Sequence, residues 1–165
     1  MSNRAVRRAA SSFAPREQSG TLDARGSTFG VVCARWNPTV TDAMLASALE
    51  ALERHGARAK DILLVRVPGA FELPAAVRAM QESEAPDAVI ALGAIVRGET
   101  THHAVLGHAV ASALAALSAE TGLPIGFGLL TCDTMEQARS RVSKGAEAVE
   151  AAIEMANLRR ALRRT

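Results

Sequence analysis

Four short, nearly continuous apolar segments, each followed by a helical stretch, constrain the fold of this chain most strongly. The segments span residues 28–34, 62–67, 88–96 and 125–130. Apolar runs of this length are typical of parallel strands that are buried on both faces of a sheet. We therefore predict four strands.

Helical signals follow each of these segments. Apolar periodicity, capping residues and Pro or Gly punctuation predict helices over residues 40–55, 74–82, 101–121, a short stretch opening near Thr134, and 145–162. Strands that alternate with helices indicate an α/β fold, with a parallel sheet between two layers of helices. In such sheets ligands bind beyond the carboxyl ends of the strands.

Length and charge limit the domain organisation and the partners. A chain of 165 residues suits one domain, and 19 basic against 17 acidic residues is too balanced for nucleic acid as the main partner. The first 27 residues nevertheless hold five arginines and two acidic residues. We expect residues 1–27 to form a basic, flexible arm and residues 28–165 to form the folded domain.

Several classes of protein receive no support from the sequence. No apolar stretch reaches the length expected of a membrane span, and the N-terminus lacks the apolar core of a secretory signal, so we expect a cytoplasmic protein with no membrane partner. The histidines and cysteines lack metal-ligand spacing, and no phosphate-binding glycine motif of nucleotide enzymes occurs. We predict neither a metal nor a nucleotide cofactor.

The loops after the first two strands carry candidate ligand contacts. Trp36 follows the first strand, where it could stack on a planar ligand or cap the edge of the core. Phe71 and Glu72 follow the second strand, between Pro68 and Pro74, which restrict the backbone. Glu72 at the start of a helix fits either a ligand contact or a favourable interaction with the helix dipole.

The loop after the third strand is the richest in candidates. Glu99 and Thr100 precede a helix, so their backbone N–H groups suit a phosphate. His102 in the first turn is a candidate general acid or base, although it could also be a surface histidine with no role. We expect at least one of His102 and His103 to be inert, and His108 to be structural.

Basic side chains follow the fourth strand, at Arg139, Arg141 and Lys144. An arginine or lysine that reached the phosphate would complete its binding site, whereas each of these residues taken singly fits a solvated surface charge equally well.

These loops resemble those of the lumazine synthase family. The matching segments are Trp36-Asn37, residues 67–74, residues 91–102, residues 127–131, residues 136–138 and residues 152–158. The resemblance extends over residues 28–162 in the family's order and spacing. It implies a flavodoxin-like three-layer α/β sandwich with a four-stranded parallel sheet.

The resemblance also implies a reaction and an assembly. The family condenses 5-amino-6-(D-ribitylamino)uracil with 3,4-dihydroxy-2-butanone 4-phosphate, without a cofactor, in riboflavin biosynthesis. Its members are homopentamers, and some form decamers or 60-subunit icosahedral shells, in some cases with riboflavin synthase as a partner. The active site lies between neighbouring subunits.

Roles for individual residues follow from the same resemblance. His102 matches the catalytic histidine, and Glu99, Thr100 and Arg141 match phosphate ligands. The pyrimidine and ribityl contacts correspond to Trp36, Ala70, Phe71, Glu72, Ala94, Ile95, Val96 and Phe127. Of these, Phe127 is expected to come from the neighbouring subunit.

Two departures from the family pattern leave alternatives open. The family usually has an aromatic, an acidic and an aromatic residue after the catalytic histidine, where this chain has His103-Ala104-Val105. The stretch between Arg141 and Lys144 is also shorter than in many members, which leaves a phosphate contact by Lys144 open. The alternatives are a shell-forming or flavin-binding paralogue with altered catalysis, and an archaeal-type riboflavin synthase of the same fold.

Overall fold

A single four-stranded, all-parallel sheet organises the protein. The computed structural model describes residues 15–164. The strands are β1 (Phe29–Ala34), β2 (Ile62–Val67), β3 (Ala88–Val96) and β4 (Ile125–Cys132), and their order across the sheet is β2-β1-β3-β4. The four predicted strands are therefore confirmed, and β4 runs two residues further than predicted.

Five helices connect and follow the strands. They are α1 (Pro38–Arg54), α2 (Leu73–Glu84), α3 (His102–Thr121), α4 (Met135–Arg139) and α5 (Lys144–Arg163). The predicted helices are confirmed. Helix α4 begins after Thr134, whose side-chain oxygen accepts a hydrogen bond from the N–H of Gln137 and so caps the helix.

Alternating side chains of the sheet divide the core into two halves. On β1, Val31 and Cys33 face a cluster with α1, α4 and α5, whereas Val32 and Ala34 face a cluster with α2 and α3. This period of two is what a pleated strand with both faces covered produces. The predicted three-layer α/β sandwich is confirmed.

Strand β2 departs from the prediction that every strand is buried on both faces. It pairs only with β1 and lies at the edge of the sheet, and both Leu63 and Leu64 are exposed. An apolar run alone does not separate an edge strand from a central one, because position in the sheet depends on long-range pairing.

Small residues let α5 approach its neighbours closely. A Cβ atom on Gly145 would meet the backbone carbonyl of Met44 on α1, and one on Gly126 would meet that of Ala148 on α5. Glycine at these two positions thus has a direct packing consequence, because α5 lies nearly in backbone contact with α1 and with β4.

The segment expected to be a flexible arm is partly packed. Residues 1–14 lie outside the described residues. Further along, the Asn157 amide donates to the carbonyls of Thr21 and Asp23, and Ala24 is completely buried. Arg160 also donates to the Ser27 hydroxyl at 3.0 Å. The packed domain therefore includes several residues before residue 28.

Helix α3 is apolar on more than its buried side. Among the described residues it is the one helix with the length and composition of a membrane span, which differs from our expectation, and only 22% of the apolar window is buried. Its buried positions, such as Val110 and Leu114, pack on the sheet. The rest of its apolar surface has no cover within residues 15–164.

Candidate active site

The strand order brings three loops together at one end of the sheet. Strand β1 lies between β2 and β3, so the loops that follow these strands meet at their carboxyl ends. They enclose a cavity of about 360 Å³. This position is where open parallel sheets bind ligands, and the volume suits a small organic molecule.

Most of the residues assigned from the sequence line this cavity. They are Trp36, Ala70, Phe71, Glu72, Ala94, Ile95, Val96, Thr100 and His102. Glu99 lies between the lining residues Gly98 and Thr100. Within the described part of the chain, the lining does not include Phe127 or Arg141.

Two aromatic side chains stand exposed at the mouth of the cavity. Trp36 is 72% exposed and Phe71 is 70% exposed. Of the two interpretations of Trp36, capping the core edge does not fit a ring this exposed. An open apolar rim at a cavity is instead typical of a surface that a ligand or another protein covers.

Asn37 connects the loop after β1 to strand β3, a role that the sequence analysis missed. Its backbone has φ 59° and ψ 55°, in the left-handed region, directly before Pro38. Its side-chain amide donates to the carbonyl of Ala94 at 2.9 Å. Asparagine tolerates this conformation better than most residues, so an Asn-Pro pair between a strand and a helix was the available signal.

Asn37→Ala is expected to lower the free energy of unfolding by about 2 kcal/mol, combining a lost hydrogen bond with the strain of a positive φ. Asn37→Gly is the matched control, because glycine loses the side-chain hydrogen bond but adopts a positive φ without strain. Its free energy of unfolding is expected to fall by about 1 kcal/mol. Urea denaturation at fixed protein concentration measures both values. Equal losses in the two variants would show that the backbone conformation is not what Asn37 contributes.

Backbone polar groups at the end of β3 face the cavity. The N–H groups of Val89 and Arg97 donate to carbonyls at the two ends of β4, so alternation directs the backbone groups of Val96 toward β1. The β1 register ends with Cys33 opposite Leu92, four residues earlier. The N–H and C=O of Val96 therefore lie beyond the last pair of residues between β1 and β3. In this position they can form hydrogen bonds with the amide-like edge of a ligand. The same alternation turns the backbone groups of Ile95 toward β4.

Glu72 holds the loop after β2 and borders the cavity. One oxygen of its carboxylate accepts the backbone N–H of Gly69 at 2.9 Å and so closes the loop after β2. The half-buried side chain also borders the cavity. A carboxylate held in this way can accept hydroxyl hydrogens from a ligand with its remaining lone pairs.

The loop from Arg97 to Thr101 is exposed at the start of α3. The N–H of Arg97 donates to the carbonyl of Cys132 at 2.9 Å, and the N–H of His102 to the hydroxyl of Thr100 at 3.4 Å. His102 itself is exposed at the cavity. A helix N-terminus with accessible N–H groups beside a histidine can bind an anion next to a proton donor or acceptor.

Among the described residues, Phe127 and Arg141 lie outside the cavity lining. Phe127 is 42% exposed on β4 and lines a groove along α3, on the side of β3 away from the cavity. Arg141 follows α4, where it donates to the carbonyl of Gln137 at 3.0 Å. The Lys144 amine lies 3.0 Å from the Glu147 carboxylate of its own helix.

The buried thiol below the site is not an activated nucleophile. Cys33 is completely buried, and this burial raises the pKa of its thiol. The thiol therefore stays protonated at neutral pH. Among residues 15–164, no three His, Cys, Asp or Glu side chains are grouped so as to hold a metal ion.

The parallel α/β sandwich has a cavity at its strand ends, lined by exposed aromatic side chains and by the start of α3. These features define the class of small-molecule enzymes with a flavodoxin-like fold. The family model of 6,7-dimethyl-8-ribityllumazine synthase matches residues 26–160. The chain therefore belongs to the 6,7-dimethyl-8-ribityllumazine synthase family. A relative from Aquifex aeolicus (strain VF5), named 6,7-dimethyl-8-ribityllumazine synthase, is 45% identical over 149 residues, which cover 87% of this chain and 97% of the relative.

Proposed function

We propose that this chain makes 6,7-dimethyl-8-ribityllumazine in riboflavin biosynthesis, by condensing 5-amino-6-(D-ribitylamino)uracil with 3,4-dihydroxy-2-butanone 4-phosphate. The observation that carries the proposal is the cavity, whose lining combines Trp36, Val96 and the exposed residues Thr100 and His102 at the start of α3. This arrangement fits a planar, amide-bearing ring next to a phosphate ester. The name of the relative from Aquifex aeolicus supports the same reaction.

Each residue has a role that fits the chemistry of its polar or aromatic groups. Trp36 stacks on the pyrimidine ring, the backbone groups of Val96 bind its polar edge, and Glu72 accepts hydrogen bonds from the ribityl hydroxyls. Backbone N–H groups of Glu99 and Thr100 hold the phosphate. Once the uracil amine has attacked the ketone, His102 moves the protons that imine formation and phosphate loss require.

Self-association completes the site in this proposal. Within residues 15–164, neither Phe127 nor Arg141 lines the cavity of its own subunit. In this proposal both residues serve the cavity of a neighbouring copy. The exposed apolar surface of α3, which adjoins Phe127, supplies the contact. We take the assembly to be a homopentamer, alone or as part of a larger shell, and its location to be the cytoplasm.

Arg141→Ala is expected to raise KM for the phosphate substrate by about 10- to 150-fold, because a charge-assisted arginine–phosphate pair is worth about 1.5–3 kcal/mol. KM for the pyrimidine should change little. Arg139→Ala removes an exposed arginine from the adjacent helix and is the matched control. Steady-state kinetics with each substrate varied in turn measures the effect. Equal losses for both substrates would show that Arg141 is not a phosphate ligand.

Two incubations separate this function from its alternatives. The purified protein is mixed with both substrates and followed by lumazine absorbance, and it is then given lumazine alone and assayed for riboflavin. We expect lumazine in the first incubation and no riboflavin in the second. Riboflavin formed from lumazine would indicate a riboflavin synthase of the same fold, and no product in either incubation would indicate a paralogue that has lost the chemistry.

A further inference from the structure

The loop between β3 and α3 is fixed differently at its two ends. At its start, Arg97 is held by a backbone bond to Cys132 and by an ion pair with Asp133 at 3.6 Å. At its end, the carbonyl of Thr100 lies 3.0 Å from Nδ1 of His103. The residues between these two contacts are exposed, so the His103 contact lies next to the part of the loop that faces the substrate phosphate.

The hydrogen-bond partner of the His103 ring determines which ring nitrogen carries a hydrogen. A carbonyl oxygen can only accept a hydrogen bond, so Nδ1 of His103 carries the hydrogen and donates it to Thr100. The ring is half-buried and lies between the cavity and the groove that contains Phe127, since it lines both. His102, by contrast, is exposed, and its backbone N–H donates to the hydroxyl of Thr100.

We propose that His103 is a positioning residue for the phosphate-bearing substrate. Its Nδ1–H holds the Thr100 carbonyl and therefore the plane of the peptide that joins Thr100 to Thr101. In a trans peptide the C=O and N–H point in opposite directions, so this contact also fixes the N–H of Thr101 and limits rotation at Thr100. Because Thr100 is held by this contact, the adjoining N–H groups of Glu99 and Thr100, which receive the phosphate in the proposed function, move less before it binds.

This inference rests on the proposed function, and it concerns a residue that differs from the aromatic usual in the family. It predicts an effect on one substrate only. An unordered loop must become ordered when the phosphate binds, which weakens binding of the phosphate substrate. The pyrimidine contacts of Trp36 and Val96 do not depend on this loop.

Three variants separate positioning from proton transfer. His103→Ala removes the donor. His103→Asn retains an amide nitrogen where Nδ1 lies, and His103→Gln retains one near Nε2 instead. We expect His103→Ala and His103→Gln to raise KM for the phosphate substrate by about fivefold, the equivalent of one hydrogen bond, with kcat and KM for the pyrimidine within about twofold of wild type. His103→Asn should restore KM for the phosphate substrate.

Inhibition by inorganic phosphate gives a second readout on the same proteins. The inhibition constant for inorganic phosphate should rise in His103→Ala and His103→Gln. In His103→Asn it should be close to the wild-type value. The inference is overturned if His103→Ala leaves both constants unchanged, if Asn fails to rescue, or if the loss falls on kcat. A wild-type protein that forms no lumazine would instead overturn the proposed function, so the two failures are distinguishable.

Discussion

His102→Ala is expected to slow turnover by roughly 10²- to 10⁴-fold without abolishing it, since a positioned general acid or base contributes about that factor. The residual rate follows from the chemistry, because an amine and a ketone form an imine without much help once they are held together. His102 is the exposed histidine in the first turn of α3, and it borders the cavity. Single-turnover and steady-state rates measure the loss.

The matched control for this variant is His55→Ala. His55 lies at the C-terminal end of α1, away from the cavity, where its ring contacts Glu150 at 3.3 Å. That hydrogen bond holds the pKa of the Glu150 carboxyl below its usual range. We expect the control to keep the wild-type rate per folded protein. A large loss of kcat in His103→Ala with none in His102→Ala would show that His103, and not His102, has the acid–base role.

Trp36→Ala and Phe127→Ala are each expected to be inactive, and mixing the two proteins is expected to restore activity. The strand order explains why. Strand β3 separates β1, which leads to Trp36, from β4, which carries Phe127. Both rings are exposed in a single copy. In the proposed assembly a neighbouring copy supplies the second face of a flat ligand.

The test allows subunits of the two variants to exchange and then measures lumazine formation. Hybrid interfaces combine an intact Trp36 from one chain with an intact Phe127 from the next, so a fraction of sites regains both rings. Mixing under conditions that prevent exchange is the control and should give no activity. No recovery after demonstrated exchange would mean that both rings act in the same subunit's site.

Local patterns predicted most of this architecture because they act over short distances. The apolar run at 88–96 gave the bounds of β3, and the hydroxyl of Thr134 marked the start of α4. The features that local patterns did not predict depend on which strands pair with each other. The edge position of β2 exposes Leu63. The pairing of β1 with β3 brings Asn37 within hydrogen-bond distance of Ala94.

The candidate site divides in the same way. Strand ends and helix starts located Trp36, Glu72 and His102, because parallel strands bring their following loops to one edge. The contact between His103 and Thr100 depends on one side-chain rotamer and one peptide plane, which no sequence period encodes. Within residues 15–164 neither Phe127 nor Arg141 lines the cavity, so their particular roles there rest on the resemblance.

One measurement tests the central claim most directly, namely that this cavity joins a pyrimidine amine to a phosphate ester and releases the phosphate. The wild-type protein is mixed with both substrates, and lumazine absorbance and inorganic phosphate are followed in the same sample. The account predicts that lumazine and phosphate appear together in equal amounts, and that neither appears when one substrate is left out. Lumazine without matching phosphate, or phosphate released without the pyrimidine, would contradict it.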